Sequence, residues 1–298
     1  MSLVTLKDIL APAVEEKYAV GAFSGMDLWS AEACIAAAEE KKSPLILLCG
    51  AEVIREHGHN MELYTKYIMD LARASSVPVS PLLDHGANFE ECMEFIRYGF
   101  PGVMFDGSSL SHEDNIEATK EIVKAAHAVG VSVEAEIGHV GGNEGTLDEG
   151  IAKKENYTKP EDAEMFVKAT GVDALAVSIG TVHGIYQGTP KLDIGLLDEI
   201  RAAVGSLPLV MHGGSGLPDE QFTMAVEHGI NKVNFVTYMM VNAVNKIITA
   251  REESAGKKFS LWNAEVTARK AIMEYTKKEI DIFRSAGRAQ ITQKEFIQ

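Results

Sequence analysis

The sequence is short of positive charge. Against 43 aspartates and glutamates stand 28 lysines and arginines, a formal net charge of −15. Nucleic acid and anionic membrane both call for a basic face, so neither is expected as a partner. A phosphorylated small molecule stays open, because backbone N–H groups at helix N-termini and in turns bind phosphate without any lysine or arginine. Long apolar runs are missing too, and no uninterrupted stretch reaches membrane-spanning length. The opening MSLVTLKDIL has neither a basic n-region nor a long apolar h-region, so a cytoplasmic protein is expected. Cysteines are few, widely spaced and odd in number (Cys34, Cys49, Cys92), with no C-x-x-C. That pattern fits buried reduced thiols, not a disulfide framework. Ser/Gly linkers, low-complexity tracts and short repeats are absent, so one domain over residues 1–298 is expected.

What is present is a regular alternation of short apolar runs and amphipathic stretches. The runs at 19–23, 45–49, 79–83, 102–105, 132–136, 174–177, 209–211 and 232–235 read as strands. Helical periodicity lies between and after them, near 28–41, 61–74, 89–98, 115–129, 161–170, 195–203, 219–228 and 238–253. Pro44, Pro78, Pro101 and Pro208 lie shortly before strands, where they forbid a continuing helix. Eight βα units predict a parallel sheet closed into a (β/α)8 TIM barrel, with an extra N-terminal helix near 5–16 and a C-terminal helical extension near 264–283. One long irregular segment, 138–159, follows the fifth strand and contains GHVGGNEG. Loops of that length inside a compact domain are usually lids or binding loops.

Active sites of this architecture lie at the C-terminal ends of the strands. His85, His183 and His212 follow the third, sixth and seventh runs, and each is followed at once by glycine. Taken singly, each reads as a loop histidine with its own hydrogen bond. Together at one barrel face they form a zinc-site composition with a fourth position open. Asp84 beside His85 could exchange a proton with a substrate oxygen or simply orient a ligand. Gly213-Gly214-Ser215-Gly216 after strand seven, next to Asn234-Phe235-Val236-Thr237 after strand eight, reads as a barrel phosphate cradle, with Thr237 placed for an oxyanion contact. Glu144, in the glycine-hinged loop, could remove a carbon-bound proton or be a solvated loop residue. Asp106 and Glu136 end strands four and five and could take a second metal or order the first. His57-Gly-His59 follows no strand directly and reads as a surface turn. Lys232 is a rival Schiff-base candidate, but it lies at the start of its strand, away from the catalytic face.

Five segments in order carry a family resemblance: LLDHG, VEAEIGHVGGNEG, GTVHGIYQGTPKLD, VMHGGSGLPDE and KVNFVT. With them the chain resembles the class II, zinc-dependent ketose-bisphosphate aldolases, of fructose- or tagatose-bisphosphate type, from about residue 4 to the C-terminal helices. The resemblance implies a homodimeric or homotetrameric barrel that cleaves a phosphorylated sugar to dihydroxyacetone phosphate and an aldehyde such as glyceraldehyde 3-phosphate. It implies Zn2+ on His85, His183 and His212, and a second metal position at Asp106 and Glu136. Asp84 is then the acid/base at the C4 oxygen, and Glu144 the residue that moves the carbon-bound proton. Gly184, Gly213 to Ser215 and Asn234 to Thr237 hold dihydroxyacetone phosphate, with a monovalent cation (Na+ or K+) assisting. Ser24 stands where the family usually has a substrate-contacting asparagine, and Phe235, Tyr238, His139 and Asn143 also depart from its pattern. These departures bear on the aldehyde partner. The alternatives are an aldolase for a different phosphorylated ketose, a metal-dependent barrel hydrolase, or a non-catalytic phosphosugar-binding protein.

Overall fold

In the computed structural model, which describes residues 2–142, 149–150, 152–186, 190–255 and 258–289, the apolar runs form eight parallel barrel strands. They are β1 (Val20–Ser24), β2 (Leu45–Gly50), β3 (Val79–Gly86), β4 (Gly102–Phe105), β5 (Ser132–Ile137), β6 (Ala174–Val177), β7 (Leu209–Met211) and β8 (Ile230–Phe235). Each pairs with its neighbours in sequence order, and β8 closes on β1 with Ala22 opposite Asn234. The expected (β/α)8 barrel is therefore observed.

The helices are α1 (Leu6–Glu16), α2 (Leu28–Lys41), α3 (Ala51–Glu56), α4 (Met61–Ala74), α5 (Phe89–Arg97), α6 (His112–His127), α7 (Pro160–Thr170), α8 (Ile194–Val204), α9 (Asp219–Glu227), α10 (Thr237–Glu253) and α11 (Leu261–Ile282). The extra helices at either end are α1 and α11. Asp27, Asn60, Asn88 and Ser111 cap α2, α4, α5 and α6 through side-chain oxygens. Each such cap contributes about 1 kcal/mol. Helix α3 was not expected, because six residues are too few to register a helical period. None of the helices described is long and apolar enough to cross a membrane.

Strand side chains alternate between two faces. Val133, Ala135, Ile137, Val233 and Phe235 face outward, into the large core between strands and helices. Val20, Ala22, Ile46, Leu48, Leu82 and Val210 fill the lumen, where Leu6, Ile9 and Leu10 of α1 join the same cluster. The lumen faces of β5 and β8 break this pattern. They carry Glu134, Glu136, Lys232 and Asn234, none more than 3% exposed. Burying such groups is costly unless they are paired, so their partners define what the lumen is for.

Candidate active site

Strand β3 runs three residues past the expected end at 83, and this extension carries Asp84 and His85. Its register against β4 shifts between Leu83 and Gly86, and His85 takes a left-handed backbone at φ +47°. Consecutive strand residues ordinarily point to opposite faces. The irregularity re-aims His85, so that it joins His183 and His212 in one ligand group although its neighbour Asp84 also lies in the buried interior. A non-glycine residue in that conformation costs of order 1–3 kcal/mol, and such strain concentrates at functional sites.

The three expected histidines come together. His85, His183 and His212 each offer a ring nitrogen within 4.8 Å of the others. The rings stand nearly edge-on to one another, with interplanar angles of 73° to 81°. His85 Nε2 lies 3.0 Å from His212 Nδ1. Two nitrogens on one tetrahedral zinc, each bonded at about 2.05 Å, would sit about 3.3 Å apart, so the spacing fits a shared ion. The other nitrogen of His85 supports this. Its Nδ1 lies 2.9 Å from the Asp106 carboxylate. Donation from that nitrogen leaves a lone pair on Nε2, facing the cluster. The Asp106 carboxyl stays well below the usual carboxylate range; burial works against ionisation, but the His85 ring and Ser108 outweigh it.

Asp106 and Glu136, expected together as a second metal position, do converge: with His85 they form another group of potential ligand atoms within 4.8 Å. Asp84 is 2% exposed, and its Oδ1 accepts from Asn234 Nδ2 at 3.2 Å. Glu144 lies outside the described residues, as does Asn143. The segment leading to them is in place, however. His183 N–H donates to Gly141 O at 2.7 Å, and Gly142, at φ +90°, has room for no side chain, since a Cβ there would lie 2.4 Å from His183 O.

The phosphate-cradle residues also assemble. Gly213 has φ +64° and Gly184 φ +81°. The Tyr186 hydroxyl donates to Gly213 O at 2.6 Å, tying the β6 loop to the β7 loop. Helix α10 begins at Thr237, and its Tyr238 N–H faces Ser215 Oγ at 3.5 Å. The positive end of the α10 dipole therefore abuts the glycine turn, an arrangement suited to an anion. Gly214 completes the turn against Phe222 and Asn234 O.

Two expected contact residues have other partners. Ser24 is fully buried, and its hydroxyl accepts from Met26 N–H at 3.2 Å. The Phe235 ring packs outward on Tyr275 with centroids 5.4 Å apart, so only its backbone borders the mouth. His57 and His59 stay apart from the histidine cluster, in the turn after α3, where His59 stacks on Tyr64.

Sequence reasoning passed over Glu134, and placed Lys232 too far from the site. Both are fully buried, and Lys232 Nζ reaches Glu134 Oε1 at 2.8 Å. The same oxygen lies 3.1 Å from His212 Nε2. Burial alone would raise the Glu134 carboxyl, but the Lys232 charge and the His212 contact hold it below the usual range. Burial keeps His212 below the ordinary histidine range, although Glu134 pulls the other way. The available signal was the alternation Val-Glu-Ala-Glu in β5, which puts two acids on the lumen face of one strand.

Histidines and carboxylates gathered at the C-terminal mouth of a closed parallel barrel, beside a glycine turn and a helix N-terminus, are the marks of a TIM-barrel enzyme. Comparison with known proteins gives the family. The family model for fructose-bisphosphate aldolase class-II matches residues 4–288. A fructose-bisphosphate aldolase of Geobacillus stearothermophilus is 43% identical over 249 residues, covering 83% of each chain. One from Staphylococcus aureus is 37% identical over 297 residues, covering 97% of this chain and all of its own. Among solved structures, the YdjI aldolase from Escherichia coli K12 superposes with a TM-score of 0.84 at 30% identity, over 97% of this chain and 100% of that one. The chain belongs to the class-II fructose-bisphosphate aldolase family and is an aldolase, a lyase of carbon–carbon bonds.

Proposed function

We propose that this protein catalyses the zinc-dependent, reversible aldol cleavage of a ketose 1,6-bisphosphate, of fructose or tagatose type, to dihydroxyacetone phosphate and an aldehyde such as glyceraldehyde 3-phosphate. The observation that carries the reading is the convergence of three imidazoles beside a buried carboxylate and a glycine-lined helix N-terminus. His85, His183 and His212 would hold the catalytic Zn2+, with Asp106 and Glu136 as a second divalent position. Bound there, the metal supplies Lewis-acid stabilisation of negative charge developing on the substrate oxygens.

The chain's own residues do the rest. Gly184, Gly213, Gly214, Ser215 and the Asn234–Thr237 segment receive the phosphate next to the ketone, through backbone N–H groups and hydroxyls. Neutralising it with backbone dipoles is consistent with the acidic chain, and a monovalent cation (Na+ or K+) beside the phosphate belongs to the same reading. In cleavage, Asp84 takes the proton from the C4 hydroxyl as the C3–C4 bond breaks. C4 leaves as the aldehyde carbonyl, and the electron pair stays with the three-carbon fragment. Glu144 then returns a proton to C3, which completes dihydroxyacetone phosphate. Synthesis reverses each proton transfer. Asn234, by donating to Asp84 Oδ1, fixes the carboxylate for this work. A homodimer or homotetramer in the cytoplasm belongs to the same proposal, and three buried free thiols are consistent with a reducing compartment.

The test is a coupled assay of triose phosphate release from fructose and tagatose 1,6-bisphosphates, before and after chelation. EDTA should abolish turnover and Zn2+ or Co2+ should restore it. Turnover that survives complete metal removal would overturn the metal-dependent reading, and no release from either sugar would overturn the substrate.

A further inference from the structure

Beneath the histidine cluster lies a charged pair that the proposed chemistry does not use. Glu134 on β5 and Lys232 on β8 are fully buried in the lumen and 2.8 Å apart. Removing two charges from water is costly, and a well-packed apolar pair in the same space would often serve stability as well or better. Stability alone therefore gives little reason for the pair. What distinguishes it is its third partner. Glu134 Oε1, the oxygen that accepts from Lys232, also lies 3.1 Å from His212 Nε2.

The chemistry of these three groups dictates where a proton must be. An ammonium can only donate, so Glu134 is the acceptor and remains a carboxylate. A carboxylate faced by an imidazole lone pair is repelled, whereas one faced by N–H is bonded. His212 Nε2 therefore carries a proton and donates it to Glu134. Asn234 Nδ2 lies farther from the same nitrogen, at 3.3 Å, and one of its two hydrogens goes to Asp84 Oδ1, so Glu134, at 3.1 Å, is the nearer partner. With Nε2 protonated, a neutral His212 has its lone pair on Nδ1. That is the nitrogen 3.0 Å from His85 Nε2, whose own ring is fixed from behind by Asp106; Glu136 Oε2 also faces His212 Nδ1, but at 3.5 Å is the more distant of the two carboxylates beside His212. Two lone pairs directed at each other across this gap call for a cation between them.

We propose that Glu134 and Lys232 are positioning residues for the metal centre: Lys232 anchors Glu134, and Glu134 holds the Nε2 proton of His212 so that Nδ1 is presented to the ion. The inference rests on the reading of His212 as a metal ligand. Carboxylates that orient ligating histidines typically change metal affinity by about 10- to 100-fold when removed.

The experiment compares the full-length protein with the double variant Glu134→Leu/Lys232→Met, which removes both charges at similar volume. Zn2+ affinity is measured by competition with a chromogenic chelator, and folding by the melting temperature of the zinc-free protein. The double variant should bind Zn2+ about 10- to 100-fold more weakly. Glu134→Gln/Lys232→Met, which keeps an acceptor, should recover part of the loss. In wild-type zinc-free protein, long-range 1H–15N spectra should show His212 as the Nε2–H tautomer. Wild-type Zn2+ affinity in a folded double variant would overturn the pair's role and leave His212 as a ligand. An Nδ1–H tautomer would overturn it whether or not the variant folds. Zn2+ binding unaffected by His212→Ala would overturn the pair's role together with the ligand reading beneath it.

Discussion

Gly213→Ala tests how tightly the site depends on close backbone packing. Gly213 follows the candidate ligand His212 and has φ +64°. A Cβ built there lies 2.4 Å from Val182 O and 2.6 Å from Val182 C, and Val182 directly precedes His183. Reaching an ordinary contact of 3.4 Å requires one of the two backbones to move by about 1 Å. Either way a candidate ligand moves with it. The left-handed backbone adds about 1–3 kcal/mol of strain in any context. A displacement of about 1 Å at a reacting centre can cost about 10²-fold in rate, or about 2.7 kcal/mol. Gly171→Ala provides the control. Gly171 caps α7 at φ +70° and ψ 30°, and a Cβ placed on it meets nothing within 4 Å, so it isolates the strain from the clash. Both variants should lose stability in thermal melts, but only Gly213→Ala should lose about two powers of ten in kcat together with Zn2+ affinity. If the two variants retain equal kcat and equal Zn2+ affinity, the coupling of the β6 and β7 loops through this contact is wrong.

Asp84→Asn keeps an oxygen to accept from Asn234 but removes the base, so kcat for cleavage should fall by about 10²- to 10⁴-fold with Zn2+ binding retained. Cleavage at the wild-type rate would end the assignment. Glu279 of α11 is 1% exposed, and its carboxyl is raised to about 7 by burial, with Lys278 opposing and Asp219 adding to the shift. A carboxyl whose folded value lies above its unfolded one penalises folding as pH rises: the cost is absent below about 4.5, grows between the two values and is complete above about 7. Glu279→Gln should therefore stabilise the protein by roughly 3 kcal/mol at pH 8, with the gain shrinking towards pH 5, as read from denaturant midpoints. A gain that is the same at both pH values would show that charge burial is not its source.

The alternation of apolar runs with amphipathic stretches was enough to give the barrel, because period 2 and period 3.6 are local properties of the chain. The helices at 28–41 and 61–74 fall where their apolar stripes end. The histidines were legible for a related reason: a parallel barrel gathers the C-terminal ends of all its strands, and the loops that follow them, at the same mouth, so His85, His183 and His212 had only one place to meet. Asp106 and Glu136 were legible in the same way. The lumen contacts were not. Whether Lys232, midway along β8, reaches Glu134, and whether Glu134 reaches His212, depends on the stagger between strands far apart in sequence and on how far a long side chain extends across the lumen. The left-handed turn at His85 and the outward face of Phe235 are likewise set by pairing across the sheet. Local periodicity thus fixed which residues line the mouth. Only closure of the barrel decided which of them touch, because those contacts join strands that pass no information to one another until the sheet is complete.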